Sequence, residues 1–391
     1  MGPVTPTLPR PETRGRVVRR TIWISLFWLV LMFHLVVGWV YSGTLLRDAF
    51  EVGPPATVAD TEVVAVDRDR ITLRALEGNG ADLARPVVMG FESGASYLQI
   101  AAPGDQSGPR DFTVLAGPTP APGARGDLQA FAFPADPAAA GLAVEEVEYD
   151  SPLGPMDAWY LEGSRGVWVI HVHGKGSSPQ EAIRLLRPLA SAGYPQLAVT
   201  YRNDPGQPAD PSGLYQYGRT EWADLEAAVE YAEDQGAGNI VLVGYSTGGA
   251  VALSYLFRSG SEAIAAVVLD APNLDMSETV DFGASQRSLP GGVPIPVTVT
   301  AAAKFLAGLR ADVNWDSLDY VRRSGQIVVP VLVFHGTADG TVPIETSRRL
   351  AEREEFVTLV EVPGAGHVQS WNADPAAYER RVLDFLARFA G

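Results

Sequence analysis

The sequence predicts an α/β protein: a mostly parallel sheet with helices on both faces, preceded by a small β-rich module and one N-terminal transmembrane helix. Three patterns predict it. From about Gly141 onward, β-branched apolar runs alternate with amphipathic helical stretches. Between Thr61 and about Phe133, short β-like runs alternate with Pro- and Gly-bearing turns. Ahead of both, Thr21 to Leu46 carries no charge, and Ile22 to Val40 is almost wholly apolar.

The first element in the chain is the apolar one. About 20 apolar residues at ~1.5 Å each span a ~30 Å hydrocarbon core. Trp23, Trp28, Trp39 and Tyr41 lie largely toward its ends, where amphipathic rings favour the membrane interface. His34 sits inside, where a neutral imidazole is tolerated. A cleaved signal peptide has a shorter apolar run and a small-residue cleavage box. The exit sequence VYSGTLLRD offers no such box, so an uncleaved signal anchor over 21–41 is the favoured reading. The first twenty residues carry five arginines against one glutamate, a sum of +4. That places a basic tail (1–20) in the cytoplasm and everything after Tyr41 outside. Arg- and Ala-rich usage, with Lys175 and Lys304 the only lysines, is associated with GC-rich bacterial genomes, so the expected location is a bacterial cell membrane.

Residues 42–60 read as a linker bearing prolines. Over 61–140 the runs EVVAVDRDRITLRAL, SYLQIAAPG and FTVLAGPTPAPG predict a small β-rich module, with DRDR as a hairpin turn. No motif in it carries chemistry, and its expected role is to position or shield the next domain. Over 141–391, a hairpin (VEEVEYDSP, MDAWYLEG) leads into the alternation. Its strands are VWVIHVHG, QLAVTY, NIVLVG, AIAAVVLD, VVPVLVFHG and FVTLVEV. Its helices are Pro179–Ala192, Thr220–Asp234, Gly248–Arg258, Ile344–Glu354 and Pro375–Phe389. Such alternation implies a buried, mostly parallel sheet, with chemistry in the loops after the strand C-termini. An insertion at about 272–326 reads as a small cap over the site, and the apolar face of VTAAAKFLAGL is expected to pack on the core, with lining of an acyl pocket as the alternative.

Composition excludes several functions. A net charge of -16 argues against a nucleic-acid partner, which needs basic patches to neutralise phosphates. The absence of cysteine removes disulfides, a thiol nucleophile and thiolate metal sites. His171 and His173 alternate onto one side of a strand, but no nearby carboxylate completes a metal site.

The loops carry the chemistry. NIVLVGYSTGGAVALSYLFR places Gly244-Tyr245-Ser246-Thr247-Gly248 between a strand and a helix. There the Ser246 hydroxyl meets the positive end of a helix, and the glycines permit a tight turn. The loop HGKGSS after the HVH strand is positioned to give a second N–H to an oxyanion that Thr247 N–H addresses. Lys175 is the first candidate for this donor and Gly176 the alternative. Asp339, in LVFHGTADGTVP, is the favoured acid, with Asp270 at the end of VVLDAP as its rival. Of five histidines, His367 lies in a Gly-rich loop after the last strand, where it can take the Ser246 proton through one ring nitrogen while an Asp orients the other. Tyr201, Arg202 and Asn203, in a long loop, either contact substrate or brace the connection.

With these motifs in the order nucleophile, acid, base, residues 141–391 resemble the α/β-hydrolase superfamily. The GYSTGG elbow and the HGTADGTVP loop look most like its serine-esterase and prolyl-oligopeptidase-like branches. The layout also resembles membrane-anchored hydrolases of actinobacteria. The resemblance implies a catalytic Ser246, Asp339 and His367, an oxyanion hole from Thr247 and Lys175, and two-step acyl transfer needing no metal or organic cofactor. The expected activity is cleavage of a carboxylic ester or related small acyl substrate. A prolyl-oligopeptidase-like peptidase is the alternative, although residues 50–140 leave no room for a propeller. A non-catalytic binding protein of the same fold is the second alternative. The expected partners are thus the small acyl substrate and, through residues 21–41, the lipid bilayer.

Overall fold

The computed structural model of the chain describes residues 14–53, 59–76, 80–103, 108–259, 262–289 and 291–390. The chain divides into two compact units. One comprises Met1–Asp48 and Arg287–Val313; the other comprises Ala49–Gln286 and Asn314–Gly391. The chain begins with helix α1 (Arg14–Leu45), which is long and apolar enough to cross a membrane. Residues 14–20 of the basic tail form its first turns; residues 1–13 of that tail lie outside the described residues. The expected linker (42–60) is shorter than its composition suggests. The helix runs on through Gly43 to Leu45 and continues as a π-helical turn, Leu46–Phe50.

Six short strands then close into a barrel. They are β1 (Thr61–Asp67), β2 (Arg70–Ala75), β3 (Met89–Ser93), β4 (Ser96–Ile100), β5 (Arg110–Ala116) and β6 (Arg125–Gln129), with a single helical turn, α2 (Gly80–Leu83), after β2. Their order around the barrel is β1-β2-β5-β4-β3-β6. The DRDR turn joins β1 to β2 as expected, with Arg68 in the left-handed region at φ 53°. Alternate side chains fill the interior, among them Val63, Ile71, Phe91, Leu98 and Ile100. Closure leaves no open sheet edge, which a module of this size could not easily protect.

The second half of the larger unit is an eight-stranded sheet. Its hairpin is β7 (Glu145–Ser151) and β8 (Gly154–Leu161). Next come β9 (Val167–Val172), α3 (Ile183–Ser191), β10 (Gln196–Val199), α4 (Trp222–Asp234), β11 (Asn239–Tyr245), α5 (Thr247–Ser259), β12 (Ile264–Asp270) and α6 (Met276–Ser285). The chain then contributes β13 (Ser288–Leu289), β14 (Val293–Pro294) and α7 (Val297–Ala311) to the smaller unit. It returns as β15 (Val331–Gly336), α8 (Ile344–Arg353), β16 (Val357–Val362), α9 (Ser370–Ala373) and α10 (Pro375–Phe389). The strand order is β16-β15-β12-β11-β9-β10-β8-β7. The six strands from β16 to β10 are mutually parallel, and β8 runs antiparallel to both its neighbours.

Strand alternation builds two cores from one sheet. Ile170, Val172, Leu242, Val267 and Val333 face α4 and α5, while Val169, Val241, Val243, Val268 and Phe334 face α3 and α10. Because the central strands are parallel, their C-terminal ends all open on one edge. There the loops after β9, β11, β15 and β16 meet.

In the smaller unit α7 packs along α1. Gly38 lies against Ala302, and His34 Nε2 is 2.9 Å from Thr298 Oγ1. Val299, Ala303 and Ala307 are buried, but the expected packing of this helix on the hydrolase core is not what the smaller unit shows: α7 lies along α1. Phe305 and Leu309 remain exposed, because apolar residues encircle this helix and one neighbour cannot cover them all.

Candidate active site

Ser246 occupies the sharp turn from β11 into α5, with φ 50°. A left-handed conformation costs a non-glycine residue roughly 1–2 kcal/mol, so the surroundings must enforce it. They do: Ser246 N–H donates to the Asp270 carbonyl at 2.9 Å, and the Ser246 carbonyl accepts from Asn273 N–H at 3.0 Å. Glycine at 248 is required by contact, since an added Cβ would run into the Val172 carbonyl of β9. The turn therefore brings the first residues of α5 directly against the strand that carries the HGKGSS loop.

His367 bridges the other two candidates. The Ser246 hydroxyl donates to His367 Nε2 at 2.8 Å, and His367 Nδ1–H donates to Asp339 Oδ2 at 2.8 Å. Asp339 is buried, and its second oxygen accepts N–H bonds from Thr341 at 2.7 Å and Val342 at 2.9 Å. A second histidine, His335, donates through Nε2 to Asp339 Oδ2 at 3.3 Å, while its Nδ1 accepts from Ser347 Oγ at 2.8 Å. Burial pushes the Asp339 carboxyl up, but the charge of His367 and the hydrogen bonds from both histidines outweigh it and hold the group well below the usual range. For His367 burial lowers the pKa, but the adjacent Asp339 carboxylate, helped by Glu181 and Asp270, raises it above its ordinary value.

The rival acid is differently engaged. Asp270 accepts from Ser370 Oγ at 2.7 Å and lies 4.0 Å from the Arg184 guanidinium. Burial pushes its carboxyl up to about 6, opposed by Arg184 and the Ser370 bond.

The HGKGSS loop lies beside the serine, with the Gly174 Cα close enough that an added Cβ would sit 3.2 Å from Ser246 Cβ. Gly174 N–H donates to the buried Glu181 carboxylate at 2.8 Å. His173 donates from Nδ1 to the Gly174 carbonyl and from Nε2 to Asp204, both at 2.8 Å, and stacks on Tyr201 at 4.5 Å. It braces the loop: burial lowers its pKa, but the Asp204 carboxylate more than restores it and leaves it raised. His171 points to Gln196 instead, at 3.1 Å. Lys175 Nζ reaches the Ala49 carbonyl at 3.1 Å and lies 5.7 Å from the Tyr215 ring centre. Tyr201, Arg202 and Asn203 brace the neighbouring connection. Arg202 holds Asp224 at 2.7 Å and Asp210 at 3.2 Å, and Asn203 donates to the Leu214 carbonyl.

Sequence reasoning missed the supports of the histidine loop. Arg184 Nη1 donates to the Val368 carbonyl at 2.9 Å. Gln369 Oε1 accepts from Gly366 N–H at 3.0 Å and from Arg85 of the β-barrel at 3.4 Å. Asn372 donates to the Val88 and Ala130 carbonyls, each at 2.7 Å. The barrel thus docks on the loop that presents His367, through contacts 280 or so residues apart in sequence that no local motif announces.

Residues 169–381 match the profile of the alpha/beta hydrolase family, a stretch covering more than half of the chain. The chain belongs to that family. Curated relatives share its core at low identity. A Synechocystis sp. protein carrying a provisional non-heme chloroperoxidase name is 28% identical over 262 residues, which cover 55% of this chain and 90% of the relative. The uncharacterized protein Rv2307c of Mycobacterium tuberculosis is 29% identical over 244 residues, covering 60% of this chain and 74% of its own length. Among solved structures, the Pyrococcus furiosus esterase Pf2001 superposes with a TM-score of 0.52 at 24% identity, over 66% of this chain and 95% of that one. This last likeness is one of fold. The family match takes in all four loops of the site and leaves out α1 and the barrel.

Proposed function

We propose that this α/β hydrolase is a membrane-anchored serine hydrolase that cleaves carboxylic esters through an acyl-enzyme. The observation that carries the reading is the pair of 2.8 Å contacts through which His367 links Ser246 Oγ to Asp339. In the proposed cycle, Ser246 Oγ attacks the ester carbonyl carbon as His367 Nε2 accepts its proton. The oxyanion that forms is held by the N–H groups of Thr247 and Lys175. Gly176 N–H is the alternative second donor. His367 then gives its proton to the departing alkoxide. In the second half a water loses its proton to His367 and attacks the acyl carbon, and the proton returns to Ser246 as the acid leaves. Asp339 remains ionised throughout, fixing the ring and stabilising its charged form.

The domain plan proposed with it is a basic tail (1–20), a membrane anchor (21–41), a linker, a β-barrel that steadies the histidine loop, and the hydrolase region (141–391). The arginines of the first twenty residues orient the span with its N-terminus in the cytoplasm and the hydrolase region outside. Hydrolysis assays on purified full-length protein with p-nitrophenyl esters of increasing acyl length, set against aminoacyl-prolyl amides, test the reaction class. Turnover of the esters with little or none of the amides is expected. Preferential cleavage of the amides overturns the ester reading in favour of a peptidase.

A further inference from the structure

We infer that α7 (Val297–Ala311) is a second membrane element: it lies beside α1 within the bilayer, and its exposed apolar stripe is covered by lipid acyl chains. This rests on the reading of α1 as an anchor. It adds a segment that the chain inserts between β12 and β15 of the hydrolase sheet.

The α1–α7 interface is built as helices associate in lipid, where small residues allow close approach and side-chain hydrogen bonds join the partners. Gly38 and Ser42, four residues apart, are both buried, and a Cβ added at Gly38 would lie 2.9 Å from Ala302 Cβ. His34 donates from Nδ1 to the Val30 carbonyl at 2.8 Å and accepts at Nε2 from Thr298. That gives a polar group inside an apolar span the partners it needs. Arg310 donates to Ser42 Oγ at 2.6 Å and to the Trp39 carbonyl at 3.2 Å, with its guanidinium 4.3 Å from the Trp39 ring centre.

These contacts climb together, 34 with 298, 38 with 302 and 42 with 310, so the two helices run in the same direction. Their depths are therefore shared. The α7 C-terminus sits level with Trp39 and Ser42, where α1 leaves its apolar run, and its N-terminus sits deeper, beside His34.

The exposed surface fits that placement. Val297, Phe305 and Leu309 are 79%, 65% and 70% exposed, and with the exposed Ala301 they recur every four residues along one face. Every side chain of α1 from Val18 to Val30 is likewise exposed. The charges avoid this face. Between Arg287 and Arg310 the sequence has one charge, the half-buried Lys304. Arg287 pairs with Asp48 at 3.1 Å, beyond the apolar run. Acyl chains that bathe α1 at the level of His34 to Trp39 therefore meet the stripe on α7.

The cysteine-free chain allows a direct test. Full-length Phe305→Cys and Leu309→Cys variants, each labelled with bimane, are reconstituted in phosphatidylcholine vesicles with and without lipid carrying a nitroxide on its acyl chain. Phe27→Cys on α1 reports lipid, and Glu352→Cys on α8 reports water. Lipid nitroxide is expected to quench the labels at 305 and 309 about as strongly as that at 27, with iodide acting strongly only at 352. Iodide quenching at 305 and 309, with lipid quenching retained at 27, overturns the inference and leaves the anchor intact. Iodide quenching at 27 as well overturns the anchor and the inference together. Shielding of 305 and 309 from both quenchers, with disulfide-linked dimers of the unlabelled variants, assigns the stripe to a second copy and also overturns it.

Discussion

Ser246 does its proposed work only while His367 is neutral, and the environment of His367 fixes the pH at which that holds. Its pKa lies above the ordinary histidine value because the Asp339 carboxylate favours the charged ring. Below that raised pKa the ring is protonated and cannot accept the serine proton. kcat/KM should therefore fall on the acid side with an apparent pKa above about 6.5. Asp339→Asn removes the raising charge, so a pH–rate series should find the acid limb moved to lower pH, with kcat reduced on the order of 10⁴-fold. An unmoved limb would mean that Asp339 is not the partner of His367. Ser246, His367 and Asp339 were readable from sequence because each stands in a loop at a strand end, where Gly and chain order reveal the turn. Their supports were not readable. His335 on Asp339 and Glu181 on Gly174 N–H are contacts that appear only once the loops are folded.

At the scale of elements, the strand–helix alternation of 141–391 was legible because buried parallel strands need continuous apolar runs and their covering helices need amphipathic ones. The barrel was legible only as strands. Alternation over six or seven residues specifies a face, whereas closure depends on pairings such as β1 with β6 that no local pattern encodes. Its docking on the histidine loop has a measurable consequence. Arg85→Ala removes one hold on Gln369, and with it a restraint on the loop that carries His367. Steady-state kinetics should find kcat lowered by up to about 100-fold with KM little changed, and circular dichroism unaltered. Wild-type kcat in this variant would confine the barrel to a role away from the site.

For the whole molecule, the net charge of -16 is a composite. The first twenty residues sum to +4, the apolar span carries none, and the remainder carries -20. In the proposed topology an outer region so charged is not drawn to anionic headgroups, and attachment comes from the apolar contact of α1. Membrane fractions should retain the protein through high-salt and alkaline washes and release it in detergent. Protease added to intact spheroplasts should digest the hydrolase region. Release by salt, or full protection from protease, would contradict the proposed topology. The α7 stripe was in the sequence all along, yet VTAAAKFLAGL reads equally as core. What it packs on could be learned only from the pairing with α1.

All of the proposed chemistry turns on covalent acylation of Ser246. Incubating full-length protein with a fluorophosphonate and locating the adduct by peptide mass spectrometry puts that step to the test. A single adduct on Ser246 is expected, absent in Ser246→Ala, greatly slowed in His367→Ala, and accompanied by loss of ester hydrolysis. No adduct on the wild type, or equal labelling of Ser246→Ala, would refute acylation at this serine.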